Sequence, residues 1–243
     1  MFSNLTYKRF GEKAILIEWE HRIDETILND ILVYKEKITL NKKVAFVDII
    51  QGYNSLTISY KNQIVNFDKE VTLLKSMYTS TLKETKQVYF QWEIPVCYDL
   101  EFGVDLEEIS IQKNISVDEI IKRHKEAVYK IYFIGFLPGF LYLGGLNESL
   151  FVDRKSNPRL NVAKGAIGIG GKQTGVYPNS SAGGWNIIGK TPINFFDIEQ
   201  QNPCFAKPGD SIKFKLISLD EFYQLENQIR ENTYQLLKTA KNA

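Results

Sequence analysis

Cysteine and histidine are scarce in this sequence, which holds two of each among 243 residues. Cys97 and Cys204 do not make a disulfide framework, so we predict a reduced, cytoplasmic protein. A structural zinc site needs four closely arranged ligands. We place His21 and His124 in different domains, and we therefore predict that this chain binds no metal.

Net charge and long apolar runs are lacking as well. A formal net charge of +1 creates no bulk field that would recruit nucleic acid or an anionic membrane. The uncharged stretch 131–146 is too short, and too rich in glycine and proline, to span a bilayer. The early apolar run 14–17 ends at Glu18, so we expect no secretory signal. We predict neither nucleic acid nor membrane as a partner.

The first ninety or so residues have the pattern of one small α+β domain, residues 1–92. Its predicted elements are strand 14–19, a helix capped by Asp24, strands 44–50 and 55–60, a helix capped by Asp68, and strand 87–92. Strands 44–50 and 55–60 should form a hairpin around the turn at 52–54. This order of elements is typical of the split βαβ fold.

Residues 93–243 have a different pattern and are predicted to form a second domain. Short helices are expected at 105–109 and from Ser116, which forms a capping box with Glu119. After Tyr129 the chain turns to short apolar runs broken by glycine and proline, which favours a closed β-barrel or sandwich. Asp220 should open a final amphipathic helix that reaches Leu236.

Most of the 16 glycines lie within residues 131–192. Such a dense set indicates either tight corners of a barrel or a binding surface built from backbone amides. Within it, 184–191 fits the phosphate-binding pattern G-x-x-x-x-G-K-[ST]. That pattern requires a loop leading into a helix, whereas Pro192 follows at once and the intervening residues have strand composition. We therefore reject a P-loop.

Polar residues of the same stretch are the candidates for chemistry. The guanidinium of Arg159, in a loop before the glycine run, is suited to hold a carboxylate or phosphate. Residues 173–175 combine an amide, a hydroxyl and a permissive backbone, which suit a lactam or an oxyanion. Tyr177 and Trp185 are either barrel core or the wall of a pocket. Lys164 and Lys172 should be solvated.

His124 is the last residue of a predicted helix. Its charge there either interacts favourably with the helix dipole or has a functional, catalytic role. A nucleophilic pair of Cys97 with His124 is the alternative role. The apolar run around Cys97 favours a buried, inert thiol instead.

Three motifs carry a resemblance to a known family: 135–145, 168–178 and 183–192. In them, and in the supporting segments 94–98 and 105–108, the chain resembles the B subunit of bacterial ATP-dependent 5-oxoprolinase. Weaker echoes at 11–17 and 53–56 extend the resemblance through the first domain. The same family is described as kinase A inhibitor or allophanate hydrolase subunit 1, with carboxyltransferase-domain subdomains C and D. Leu141, Lys164 and Lys190 depart from the family pattern.

The resemblance implies an α+β protein with a small split-βαβ N-terminal domain, a cyclophilin-like β-barrel domain and a C-terminal helix. It further implies a heteromeric enzyme, completed by the C and A subunits of 5-oxoprolinase, which hydrolyses 5-oxo-L-proline to L-glutamate with ATP as co-substrate. An alternative function is regulatory, by binding and inhibiting a sensor histidine kinase. The catalytic candidates are Arg159, Gln173 and His124. The candidates for substrate binding are Pro138, Gly139, Thr174, Gly175, Tyr177 and Trp185.

Overall fold

The computed structural model describes residues 2–41, 45–81 and 87–241. The chain divides into two compact units, residues 1–87 and 88–243. Strand 89–97 runs without a break through the position after residue 92 where the sequence predicts the boundary.

The described residues of the first unit form one antiparallel sheet and two helices. They are β1 (Thr6–Arg9), β2 (Ala14–Glu18), α1 (Glu25–Leu40), β3 (Phe46–Gln51), β4 (Ser55–Tyr60) and α2 (Phe67–Thr79). The strand order is β1-β2-β4-β3, and β3 and β4 pair as the predicted hairpin. Apolar side chains of both helices and of β2 and β4 form one buried core. Residue 44, where the predicted strand 44–50 begins, lies outside the described residues.

The helix starts of this unit agree in part with the sequence patterns. Asp24 caps α1 as predicted, because its carboxylate accepts from the amide of Thr26 at 2.7 Å. The cap of α2 is Asn66, which accepts from the amide of Lys69 at 3.0 Å, so the prediction of Asp68 was wrong. Asp68 instead lies in the first turn, where its charge is favourable to the helix dipole.

The second unit is a β-barrel with three helices and a short ribbon. Its elements are β5 (Tyr89–Cys97), α3 (Leu106–Lys113), α4 (Val117–Glu126), β6 (Val128–Ile134), β7 (Leu141–Gly144), β8 (Arg159–Val162), β9 (Ala166–Gly170), β10 (Gln173–Val176), β11 (Ser181–Gly183), β12 (Asn186–Lys190), β13 (Ser211–Ile217), α5 (Leu219–Arg230) and β14 (Lys238–Lys241). The barrel order is β12-β9-β10-β7-β6-β13-β5, and a bridge between Lys190 and Cys97 closes the ring. The predicted α+β class with a barrel is confirmed.

The strand predicted at 87–92 belongs to the barrel and not to the sheet of the first unit. Within β5, Trp92, Ile94 and Val96 alternate into the barrel core, so the apolar pattern continues past residue 92. Parallel pairing with β13 then holds β5 along its length.

The segment that fits the P-loop pattern is a strand, which confirms its rejection. β12 pairs with β9 and contains no helix start. The stretch 193–197, which has strand composition, forms no strand in the described structure, although Phe195 is buried.

The C-terminal helix α5 begins one residue before the predicted Asp220. Ser218 caps it in a complete capping box with Glu221. Leu236 lies beyond the helix, and the chain after it pairs as β14 along β5. Over the described residues, the helices are all too short or too polar to cross a bilayer.

Candidate functional site

Asp105 and Arg159 join the helical layer to the short β8–β11 ribbon. Asp105 stands at the start of α3, but its carboxylate makes no cap hydrogen bond to that helix. Its Oδ1 accepts from Arg159 Nη2 at 2.6 Å and its Oδ2 accepts from the amide of Ile187 at 2.6 Å. The Asp105 amide in turn donates to the Ile187 carbonyl at 2.9 Å. One carboxylate thus ties α3, β8 and β12 together.

Lys155 completes this charged network. Its Nζ lies 3.0 Å from Asp105 Oδ1 and also pairs with Glu108. Burial by itself would raise the pKa of Asp105, which is 2% exposed, but hydrogen bonds from Arg159, the Ile187 amide and Lys155 hold that pKa below its ordinary value. The hydrogen bonds to Glu108 and Asp105 outweigh burial and raise the pKa of Lys155. Asp105 therefore remains a carboxylate at neutral pH.

A cavity of about 290 Å³ lies beside this network. Its wall includes Phe102, Val162, Ala166 and Ile187 together with Arg159, and Glu101, Val104, Asn161, Ala163, Gly189 and Lys190 complete the lining. Arg159 Nη1 is buried and has no hydrogen-bond partner among the described residues. A buried donor without a partner costs free energy, so a ligand acceptor at this position would stabilise the site.

Lys190 is the second cation of the cavity. Its Nζ lies 5.0 Å from the centre of the Phe102 ring and 5.3 Å from that of Phe222. Aromatic faces attract a cation without neutralising it. The cavity therefore combines apolar walls with two cationic side chains, a combination that suits a small anion with an apolar body.

His124 lies elsewhere in the barrel and is fully buried. Tyr98 Oη lies 2.7 Å from its Nδ1, and Thr174 Oγ1 lies 2.9 Å from its Nε2. Because the Thr174 hydroxyl donates to the Gly168 carbonyl, it accepts from His124, so the imidazole proton is on Nε2. Burial lowers the pKa of His124 to about 3, and the ring stacks on Phe214 at 4.8 Å.

This arrangement decides between the roles open to His124. A neutral, enclosed imidazole brings no charge to the end of α4, so the helix-dipole role does not apply. Both ring nitrogens are engaged by Tyr98 and Thr174, which leaves none for a pair with Cys97. The Cys97 thiol packs in a separate cluster with Ile217 and Phe222, and burial raises its pKa. What His124 does in the reaction stays a prediction.

Tyr177 and Trp185 are brought together in an aromatic cluster with Phe140. The ring centre of Phe140 lies 5.5 Å from those of both Tyr177 and Trp185. Tyr177 and Trp185 are 2% and 5% exposed, so they pack as core rather than line an open pocket. A Cβ on Gly170 would lie 2.6 Å from the Trp185 indole. Close packing against Trp185 thus requires glycine here.

Gly175 and Gly139 need glycine for different reasons. Gly175 has no positive φ; its side of the strand is filled by the Leu141 carbonyl and Trp185, each 3.0 Å from where a Cβ would be. Gly139 has a φ of +83°, and a Cβ there would lie 2.9 Å from the Phe195 carbonyl oxygen. The preceding Pro138 is exposed, in a loop whose Phe136 also has a positive φ.

The structure therefore distributes the predicted site residues over separate places. Thr174 lies with His124, Gly175 packs against Trp185, and Arg159 lines the cavity. Gln173 is half-buried at the start of β10, opposite Gly170, and is not part of the cavity wall. Lys164 and Lys172 are both exposed, and Lys172 lies beside Phe151.

Three residues of the charged site were not singled out from the sequence. Asp105 has the position of a helix cap, which concealed its link to Arg159. Lys155 stands four residues before Arg159, and nothing in its neighbourhood distinguishes it from a surface lysine. Lys190 was marked only as a departure from the family pattern. A folded topology is needed to bring Asp105 and Lys155 together beside Arg159, and to bring Lys190 to the cavity that Arg159 lines.

Fold and site together define a class: an α+β protein with a closed barrel, which carries a small charged cavity suited to an anion. Comparison with known families narrows this class. A model of the family described as "Carboxyltransferase domain, subdomain C and D" matches residues 5–206. The chain belongs to this family, which confirms the resemblance seen in the sequence.

Individual relatives agree with this assignment. The 5-oxoprolinase B subunit of Bacillus subtilis (strain 168) is 33% identical over 231 residues, which are 91% of this chain and 96% of that protein. The 5-oxoprolinase B subunit of Haemophilus influenzae is 40% identical over 178 residues, 72% of this chain and 81% of that protein. The crystal structure of K. lactis urea amidolyase has a TM-score of 0.82 at 18% identity, and the match covers 98% of this chain and 16% of that one. This last likeness shows a common fold.

Proposed function

We propose that this chain is one component of an ATP-dependent 5-oxoprolinase, which opens the lactam ring of 5-oxo-L-proline to give L-glutamate. Three relatives named as the B subunit of 5-oxoprolinase, at 33–40% identity, support the proposal. The observation in this chain that carries it is the cavity where Arg159 Nη1 is buried without a partner among the described residues. Such a donor suits the lactam acid or an oxygen on which negative charge develops.

In this proposal ATP activates the lactam, because an amide is a poor electrophile. Transfer of the γ-phosphoryl group to the lactam oxygen releases ADP and makes that oxygen part of a leaving group. Water then adds to the activated carbon, the ring C–N bond breaks, and the nitrogen leaves as an amine. A second water releases phosphate, so the overall products are L-glutamate, ADP and phosphate.

In this proposal the chain acts only with partner proteins, which we take to be the C and A subunits of 5-oxoprolinase. The cavity volume of about 290 Å³ lies at the lower end of the range of roughly 300–1,000 Å³ for ligand pockets. We assign it to the small lactam and place ATP on a partner. Arg159 is the residue of this chain that contacts the substrate. The neutral His124 holds Thr174 in place within the barrel.

Reconstitution tests the proposal. The chain is mixed with the A and C subunits, and glutamate release from 5-oxo-L-proline is measured with and without ATP. We expect ATP-dependent release only when all three are present, with one ADP formed for each glutamate. Omission of each component in turn is the control. A complete mixture that releases no glutamate, while the chain binds a sensor histidine kinase tightly, would favour the regulatory function instead.

A further inference from the structure

Arg159 and Lys190, the two cationic side chains that line the cavity, each have hydrogen-bond donors that the described part of the chain does not use. Arg159 directs Nη2 to Asp105 and leaves Nη1 buried without a partner among the described residues. Lys190 lies over aromatic rings, and no acidic side chain in the described part of the chain pairs with it. Both side chains line the same cavity.

The acidic groups nearby do not cancel this charge inside the cavity. Asp105 is buried, but it is shared between Arg159 and Lys155. Glu101 lines the cavity and is exposed, and its Oε1 accepts from the Tyr223 hydroxyl at 2.7 Å. Water screens an exposed carboxylate far more than a buried group. Among the residues that line the cavity, the two cations Arg159 and Lys190 outnumber the one acidic side chain, Glu101, so the lining is cationic.

The rest of the wall limits the size and kind of ligand. Val162, Ala166 and Ile187 are buried apolar residues of β8, β9 and β12, and they face a cavity of about 290 Å³. Apolar walls with a few polar groups are typical of small-molecule sites. A compact ring with one anionic group matches this wall.

We propose that this cavity binds the carboxylate of a small lactam acid, with the Arg159 guanidinium and the Lys190 ammonium as its cationic partners. The inference rests on the proposed function for the identity of the lactam, 5-oxo-L-proline. Asp105 is a positioning residue, because it holds one side of the guanidinium and directs the other side to the ligand. The lactam ring then lies against the apolar wall.

Binding to the full-length chain alone tests this assignment, without ATP or partner proteins. The probes are 5-oxo-L-proline and pyrrolidin-2-one, which has the same ring and no carboxylate, measured by calorimetric or NMR titration. The acid should bind roughly tenfold or more tightly than the neutral ring, as charge-assisted hydrogen bonds require. Arg159→Gln and Lys190→Gln should each remove most of this preference and leave pyrrolidin-2-one binding unchanged. Lys164→Gln, a change at an exposed lysine, is the matched control and should have no effect.

Several results would overturn the assignment. One is that both variants bind the acid and pyrrolidin-2-one with equally weakened affinity. Another is that the wild-type chain does not bind the acid. A third is that equimolar inorganic phosphate displaces the acid. Thermal melting checks that each variant is folded, and Lys190→Gln keeps the test valid if Arg159→Gln unfolds. Selective binding without glutamate release in the reconstituted mixture would reject the proposed function alone. An active mixture in which both variants retain the wild-type KM would reject the carboxylate assignment alone.

Discussion

Asp105 and Arg159 are 54 positions apart in the sequence and meet through a 2.6 Å hydrogen bond between Oδ1 and Nη2. The carboxylate is at the start of a helix, yet it is used for the guanidinium and for the amide of Ile187. The helix α3 therefore has no side-chain cap. In its place, the carboxylate holds Arg159 in a fixed position at the wall of the charged cavity. A long-range ion pair has here replaced the usual local role of a capping residue.

Asp105→Asn should therefore lower the free energy of unfolding by about 2–3 kcal/mol, because Arg159 and Lys155 lose the carboxylate that both contact. Urea unfolding measures the change. Glu108→Gln is the control, since that carboxylate also pairs with Lys155 but is 65% exposed, and its loss should cost less than about 1 kcal/mol. If both substitutions lowered the free energy of unfolding equally, burial would not distinguish the ion pairs of Asp105 from that of Glu108.

His124 should make stability depend on pH between neutrality and about pH 3. Its pKa is lowered to about 3 in the folded chain by burial, while the unfolded value is near 6.5. Below pH 6.5 the unfolded state binds a proton that the folded state does not, so stability falls with pH. The loss between pH 7 and pH 5 is about 2 kcal/mol from this group.

The free energy of unfolding is measured for wild type and for His124→Gln at pH 7 and at pH 5. The contribution of His124 is the loss of stability in wild type between the two pH values minus the loss in the variant. The variant should be less stable at pH 7, because its side chain fits the Tyr98–Thr174 pair poorly, but should lose less stability at pH 5. His21→Gln, at the exposed histidine, is the matched control. An unaltered pH dependence in His124→Gln would mean that the buried imidazole titrates normally.

Sequence patterns predicted local elements best where they depend on neighbouring residues. The Asp24 cap and the strand character of 184–191 follow from adjacent side chains. The cap of α2 was misplaced because Asn66 and Asp68 are both good caps, and only the folded backbone selects between them. Continuity of β5 past residue 92 could not be predicted, since its partner β13 lies more than a hundred residues later.

The site shows the same division. Arg159 was identified from its residue type and its place before the glycine run. Asp105 meets Lys155, and Lys190 reaches the cavity that Arg159 lines, only in the folded barrel. Glycine motifs indicated close backbone approach, but Gly175 is required by packing against Trp185 and not by a positive φ. Residue type alone does not separate these two causes.

Gly175→Ala should destabilise the chain by about 1–3 kcal/mol through overpacking. The new methyl would contact the Leu141 carbonyl and the Trp185 ring, each 3.0 Å away on a fixed strand or a buried side chain. Urea unfolding gives the free energy, and tryptophan fluorescence reports displacement of Trp185. Gly135→Ala is the control, since its nearest contacts are ordinary at 3.6 Å and its φ is not positive. Similar stabilities for the two variants would argue against a packing role.

Arg159→Lys tests whether the forked guanidinium, and not just its positive charge, is needed in the reconstituted complex. One ammonium group cannot donate to Asp105 and to a ligand in the two fixed directions that Nη2 and Nη1 provide. We expect kcat/KM for 5-oxo-L-proline to fall at least about tenfold, with most of the effect in KM. The melting temperature should change by only a few degrees, because Lys155 and the Ile187 amide still contact Asp105. Lys164→Arg, a reciprocal change at an exposed position, should leave the kinetics unchanged. Full activity of Arg159→Lys would show that charge alone suffices, and a collapse of the melting temperature would assign Arg159 to the fold instead of the substrate.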